Sequence, residues 1–162
     1  MVTIALITGG VMSALLTALI LISLAKAPRI WIQDMPKAMQ SVVTPLTDEE
    51  KRQRLWWGVA FFAVALILPF GAAFRYEATR QPFTFVEAFA FLWLVAMVFN
   101  LVDLVLIDWL IVVRWHPSWT VMPQAEHLNH LNTYGYHFKA FLKGTVGIAV
   151  VALLGALIVA LI

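Results

Sequence analysis

The sequence predicts an all-α fold, a four-transmembrane-helix bundle with a short cytoplasmic interfacial helix, and three observations lead there. Hydrophobic residues make up 62% of the chain and charged residues 12%, about half the roughly 25% charge of a soluble domain. Four apolar runs are each long enough to cross ~30 Å of hydrocarbon. The segments between them carry helix-start patterns and the tryptophans that favour a membrane surface. With 162 residues, the chain has room for one membrane domain, 1–162, and no second.

The first span is expected at residues 2–25, a run without charge. Ala25-Lys26-Ala27 has the small-x-small form of a signal-peptidase site. Nothing basic precedes the run, however, and it exceeds the ~7–15 residues of a signal core, so a retained helix is expected. In the loop 26–54, Asp34-Met35-Pro36 reads as an Asp cap followed by a first-turn proline. A short surface helix is therefore expected at 36–43, with Trp31 and Ile32 dipping into the interface. Thr47 and Glu50 form a capping-box pattern ahead of Trp56-Trp57. The second span should then run over 55–74, with Pro69 as a kink near its far end. A polar turn, 75–81, leads to a second capping box, Thr84 with Glu87, and a third span over 83–113. At ~45 Å by helical rise, that span must tilt or project beyond one face. His116-Pro117 ends it, and the fourth span is expected at 141–162.

Basic residues orient the chain. Six lie in the loop 26–54 and three in the connection 114–143, against Arg75 and Arg80 between the second and third spans. The positive-inside rule then places loops one and three in the cytoplasm and both termini outside, in a multi-pass cell-membrane protein. Small residues predict close helix packing through Thr145, Ala149, Ala152, Ala156 and Ala160 in the last span. Gly9, Ser13 and Thr17, beside Gly10, Ala14 and Ala18, do the same in the first.

Several function classes are excluded. The absence of cysteine removes disulfides, thiolate metal sites and thiol catalysis. A formal charge of +2, with no basic run interleaved with aromatics, gives nucleic acid no footing. Phosphate-binding loops, dinucleotide fingerprints and serine elbows are missing, so no catalytic residue or cofactor is implied.

Two polar clusters remain. Asn100, Asp103 and Asp108 interrupt the apolar third span, and a charge at mid-bilayer costs ~2.5–3.5 kcal/mol on insertion scales. At 100° per residue, Asn100 and Asp103 share a face with Ile107 and Arg114, while Asp108 points elsewhere. The second cluster follows on the cytoplasmic side and holds all four histidines, His116, His127, His130 and His137, together with Glu126, Tyr134 and Tyr136. Were 124–138 one helix, His127, His130, Tyr134 and His137 would line one face, a pattern imidazole chemistry could use for a metal. The spacing lacks His-Glu-x-x-His and the Glu-x-x-His of di-iron bundles, so no metal site is assigned. The candidate binding residues are Asn100, Asp103, Asp108, Glu126, His127, His130 and His137. The apolar stretch 119–122 is expected to fold back over the carboxylates.

The segment Asn100-Leu101-Val102-Asp103 with Ile107-Asp108, followed by Val121-Met122-Pro123-Gln124-Ala125-Glu126, resembles a family of small bacterial integral membrane proteins. Their pattern joins an Asn-x-x-Asp…Ile-Asp helix to a later Val-Ile-Pro-Gly-Thr-Glu segment. Gln124-Ala125 replaces its Gly-Thr, so a tight turn or hydroxyl contact there is not carried over. The resemblance covers residues 98–138 and implies a recurring polar site in a bacterial inner membrane, not an activity.

The function this favours is non-enzymatic: an accessory subunit of a membrane assembly, or a small homo-oligomer, whose partners are the lipid bilayer and other membrane subunits or itself. A small channel or transporter using Asn100 and Asp103 is the alternative. A membrane-embedded metal-dependent enzyme using the histidine cluster comes third.

Overall fold

A computed structural model describes residues 1–80 and 82–161. Gln81 and Ile162, which the expected turn and last span include, and the side chain of Ala160 lie outside the described residues. Those described are mostly helical, with no strand among them.

The chain runs as α1 (Val2–Lys26), a 3-10 turn (Pro28–Asp34), α2 (Lys37–Val42), α3 (Asp48–Thr79), α4 (Phe85–Val102), two further 3-10 segments (Ser118–Thr120 and Pro123–Leu131), and α5 (Tyr134–Leu161). A π-helical segment, Asp103–Trp115, continues α4 without a break. Four stretches are long and apolar enough to cross a membrane: Val2–Lys26, Asp48–Thr79, Phe85–Trp115 and Tyr134–Val159.

Local chemistry starts α3 and α4 where the sequence places them, but α3 runs on through most of the expected turn 75–81 to Thr79, and α5 begins at Tyr134 rather than at 141. Thr47 accepts from the Glu50 amide (3.2 Å) while the Glu50 carboxylate accepts from the Thr47 amide (2.8 Å). Thr84 and Glu87 repeat the exchange at the start of α4. Asp34 does not cap α2, contrary to its sequence context. Pro36 holds the cap position without a side-chain bond, and Asp34 ends the preceding 3-10 turn with its side chain turned to a cavity.

α4 is the central helix, packed mainly on α5 and α1. The core joins Met12 and Leu16 of α1 to Phe91 and Val95 of α4 and to Ala152 and Ala156 of α5. Close approach depends on absent side chains. A β-carbon on Gly9 would lie 2.8 Å from Val98 Cβ and 3.0 Å from the Val95 carbonyl oxygen. Of the two small-residue stripes on α1, Gly9, Ser13 and Thr17 are buried, whereas Gly10, Ala14 and Ala18 are exposed.

The first and third loops interlock at one end of the bundle. Met35 and Met39 pack on Met122 and Ala125 in a small core of their own. The Thr44 amide donates to Gln124 Oε1 (3.3 Å), and the Tyr136 hydroxyl donates to the Asp34 carbonyl (3.2 Å). Arg29 clasps the exit of the first loop, pairing with Glu50 at 2.8 Å and donating to both oxygens of Thr44. Trp31 donates to Ser23 Oγ at 3.1 Å, which pins the 3-10 turn against the end of α1.

Candidate functional site

The π-helical half of α4 determines which side chains converge. A π-helix bonds i to i+5 and turns less per residue than an α-helix, which swings residues five apart toward one face. The ladder closes where the His116 amide donates to the Ile111 carbonyl, five residues back, at 3.0 Å. His116 itself takes a left-handed conformation (φ 51°) and turns the chain out of the helix. In an α-helix Asp103 and Asp108 would be separated by ~140°. In the π-helix both line one cavity, as do Ile107 and Val112, likewise five apart, together with Phe99 from the α-helical half. This corrects the face assigned from α-helical geometry, which left Asp108 outside.

The cavity has a volume of about 340 Å³ and draws its walls from all four long helices. Ile20 and Leu24 come from α1, Phe61 from α3, and His137 and Tyr136 from the first turns of α5. Trp31, Asp34 and Met35 of the first loop close it. The expected cover, 119–122, is not part of the lining, because Met122 is used in the core between the loops.

Three carboxylates, Asp34, Asp103 and Asp108, thus face one cavity with a single imidazole. Asp108 pairs with His137, Oδ1 to Nδ1, at 3.0 Å. With Nδ1–H given to Asp108, the Nε2 of a neutral ring is an acceptor; it is buried and has no partner among the described residues, although His137 is only 5% exposed. Neither Asp34 nor Asp103 has a salt-bridge partner among the described residues. Asp34 is exposed as a residue, but desolvation of its carboxyl by the surrounding protein holds it above its ordinary value; nearby Asp108 adds to the shift and His137 opposes it.

Asn100 is placed differently. Its Nδ2 donates to Thr145 Oγ1 at 3.1 Å and to the Phe141 carbonyl at 3.4 Å, tying α4 to α5. Gly144 makes room for it, since a β-carbon there would lie 3.0 Å from Asn100 Oδ1. Glu126, His127 and His130 are exposed on the Pro123–Leu131 segment and do not line the cavity. The helix proposed over 124–138 is broken at Asn132 and Thr133, so only His137 of that histidine face reaches the carboxylates. No group of three His, Asp or Glu residues among those described could hold a metal ion.

Sequence reasoning missed Asp34 and underrated Tyr136. The available signal was that Asp34 is the one acidic residue before Asp48, and that it follows Trp31 and Ile32, which were already assigned to the interface. No protein-family model matches the chain, and neither a curated protein nor a solved structure is significantly similar to it.

Proposed function

We propose that the chain is a multi-pass cell-membrane protein, with both termini extracytoplasmic, that binds a cation in the carboxylate cavity as a small carrier or channel would. The observation that carries this reading is the convergence of Asp34, Asp103 and Asp108 on one cavity, opposed by one imidazole. Ionisable groups in an apolar bundle are costly, and those that serve as helix glue are paired. Asn100 is paired in this way; Asp103 has no salt-bridge partner among the described residues, and a bound cation would supply one.

The test uses the purified protein in lipid vesicles. Asp103→Asn keeps the shape and removes the charge; it should abolish cation binding or flux while the protein still elutes as a folded species. Undiminished binding in Asp103→Asn would defeat the proposal. Orientation is checked on the same cysteine-free background: Val2→Cys and Arg80→Cys should label from outside, and Glu126→Cys from the cytoplasm. Val2→Cys labelling from the cytoplasm would invert the topology.

A second reading, association with itself or with other membrane subunits, draws on the exposed Gly10, Ala14 and Ala18 stripe. Such spacing lets helices approach closely. Ala14→Leu should lower oligomer size without affecting cation binding; unchanged size would remove this reading.

A further inference from the structure

We infer that the cation taken by this cavity is a protonated amine carrying an apolar group, bound through its N–H groups by the carboxylates. The inference rests on the cation-site reading and adds the chemical class of the ligand.

Size argues first. A liquid water occupies ~30 Å³, so 340 Å³ is roughly ten waters of space, within the ~300–1,000 Å³ of small-molecule sites. A proton or bare metal ion needs no such room, and no three ligands among the described residues gather around a metal position.

The walls argue next. Trp31, Phe61, Phe99 and Tyr136 present aromatic rings beside the acidic groups, and aromatic faces with carboxylates are how proteins hold organic cations out of water. Phe61 and Phe99, in edge contact at 5.7 Å, form a shared wall. On its other side lies an apolar cavity of about 470 Å³ between α3 and α5, lined by Leu66, Phe70, Ile148 and Val151 among others. The two rings thus line both spaces, and an apolar group attached to the cation would rest against them.

The carboxylates then set the kind of cation. Asp108 is paired with His137, whereas Asp34 and Asp103 have no salt-bridge partner among the described residues. Carboxylate oxygens accept hydrogen bonds. An ammonium with an N–H supplies them; a quaternary ammonium has the charge but no proton to donate.

The experiment is equilibrium dialysis of the full chain in lipid nanodiscs with radiolabelled 2-phenylethylamine, its N,N,N-trimethyl counterpart and phenylacetate. The amine should bind saturably, the quaternary ion about tenfold more weakly for want of one charge-assisted hydrogen bond, and the anion not at all. Asp34→Asn and Asp103→Asn should each lose amine binding, and Asn100→Ala should keep it. Asp34 lies on the loop outside the helix bundle, so its variant serves if Asp103→Asn fails to fold. Equal binding of amine and quaternary ion overturns the hydrogen-bonding role given to the carboxylates. Absence of amine binding, with potassium or proton binding that still depends on Asp103, overturns the amine class and leaves the cation site standing. If no cation responds to Asp103→Asn, both readings fall.

Discussion

The two halves of α4 treat polar residues in opposite ways. In the α-helical half, Asn100 donates to Thr145 and to the Phe141 carbonyl, and its polarity is consumed in holding α5. Three residues on, where the π-helical half begins, Asp103 faces a cavity with Asp108 and Asp34, without a salt-bridge partner among the described residues. The same helix thus supplies adhesive in one half and unspent charge in the other. The change of helical register at Asp103 is what separates them: a wider turn brings Asp108 round toward the Asp103 side of the helix, where it pairs with His137 on α5. In an apolar bundle, a polar residue is informative less by its presence than by whether the fold has already given it a partner.

That contrast predicts that substitutions against the α-helical half cost stability and that those around the π-helical half do not. The largest effect is expected where α1 touches the α-helical half. Gly9→Ala forces a β-carbon to within 2.8 Å of Val98 Cβ, with a carbonyl oxygen 3.0 Å away, and overpacking of this kind costs ~1–3 kcal/mol. Gly10→Ala, one residue on, meets nothing within 4 Å and should be neutral or slightly stabilising through helix propensity. Detergent-dependent unfolding of the two variants checks the pair; equal costs would mean that α1 is not seated on α4 through Gly9.

A smaller loss is expected at Asn100. Interhelical hydrogen bonds in membranes average about 0.6 kcal/mol and reach ~1.7, so Asn100→Ala should destabilise by that order while leaving cation binding unchanged. Loss of binding without loss of stability would move Asn100 from the adhesive half into the site.

Asp34 should show the opposite sign. Its carboxyl is held above its ordinary value by desolvation and by Asp108, so the folded chain binds that proton more tightly than the unfolded chain does. The stability this group contributes is therefore fullest at low pH, and it falls as pH rises from the ordinary carboxylate range through the folded value. Asp34→Asn should remove that decline and leave the protein no less stable than wild type at pH 7. A marked destabilisation at neutral pH would mean that the charged carboxylate is a structural element after all.

Much of this fold was legible in the sequence because membrane helices are written in length and apolarity. Both capping boxes, at Thr47 and Thr84, fell where the spacing put them, since a cap is a contact between residues three apart. Two things were not legible. Angular position along α4 was read with a single helical period, and nothing local in the sequence announced that the period widens at Asp103. The cover of the cavity depends on contacts between residues nearly a hundred apart, as when Tyr136 donates to the Asp34 carbonyl and Asn132 reaches Met35. Asp34 before a proline looks like a helix cap at short range, and it is the long-range packing of the two loops that assigns it elsewhere.

The central claim is that the first loop, through Asp34, covers the carboxylates of the π-helical half. Because the chain contains no cysteine, this reduces to one cross-linking measurement in membranes. Asp34→Cys with Asp103→Cys should be joined rapidly by a short bifunctional thiol reagent, whereas Met122→Cys with Asp103→Cys should remain open. Joining of the Met122 pair, with the Asp34 pair left unreacted, would show that the third loop covers the carboxylates, and would contradict the account of the site given above.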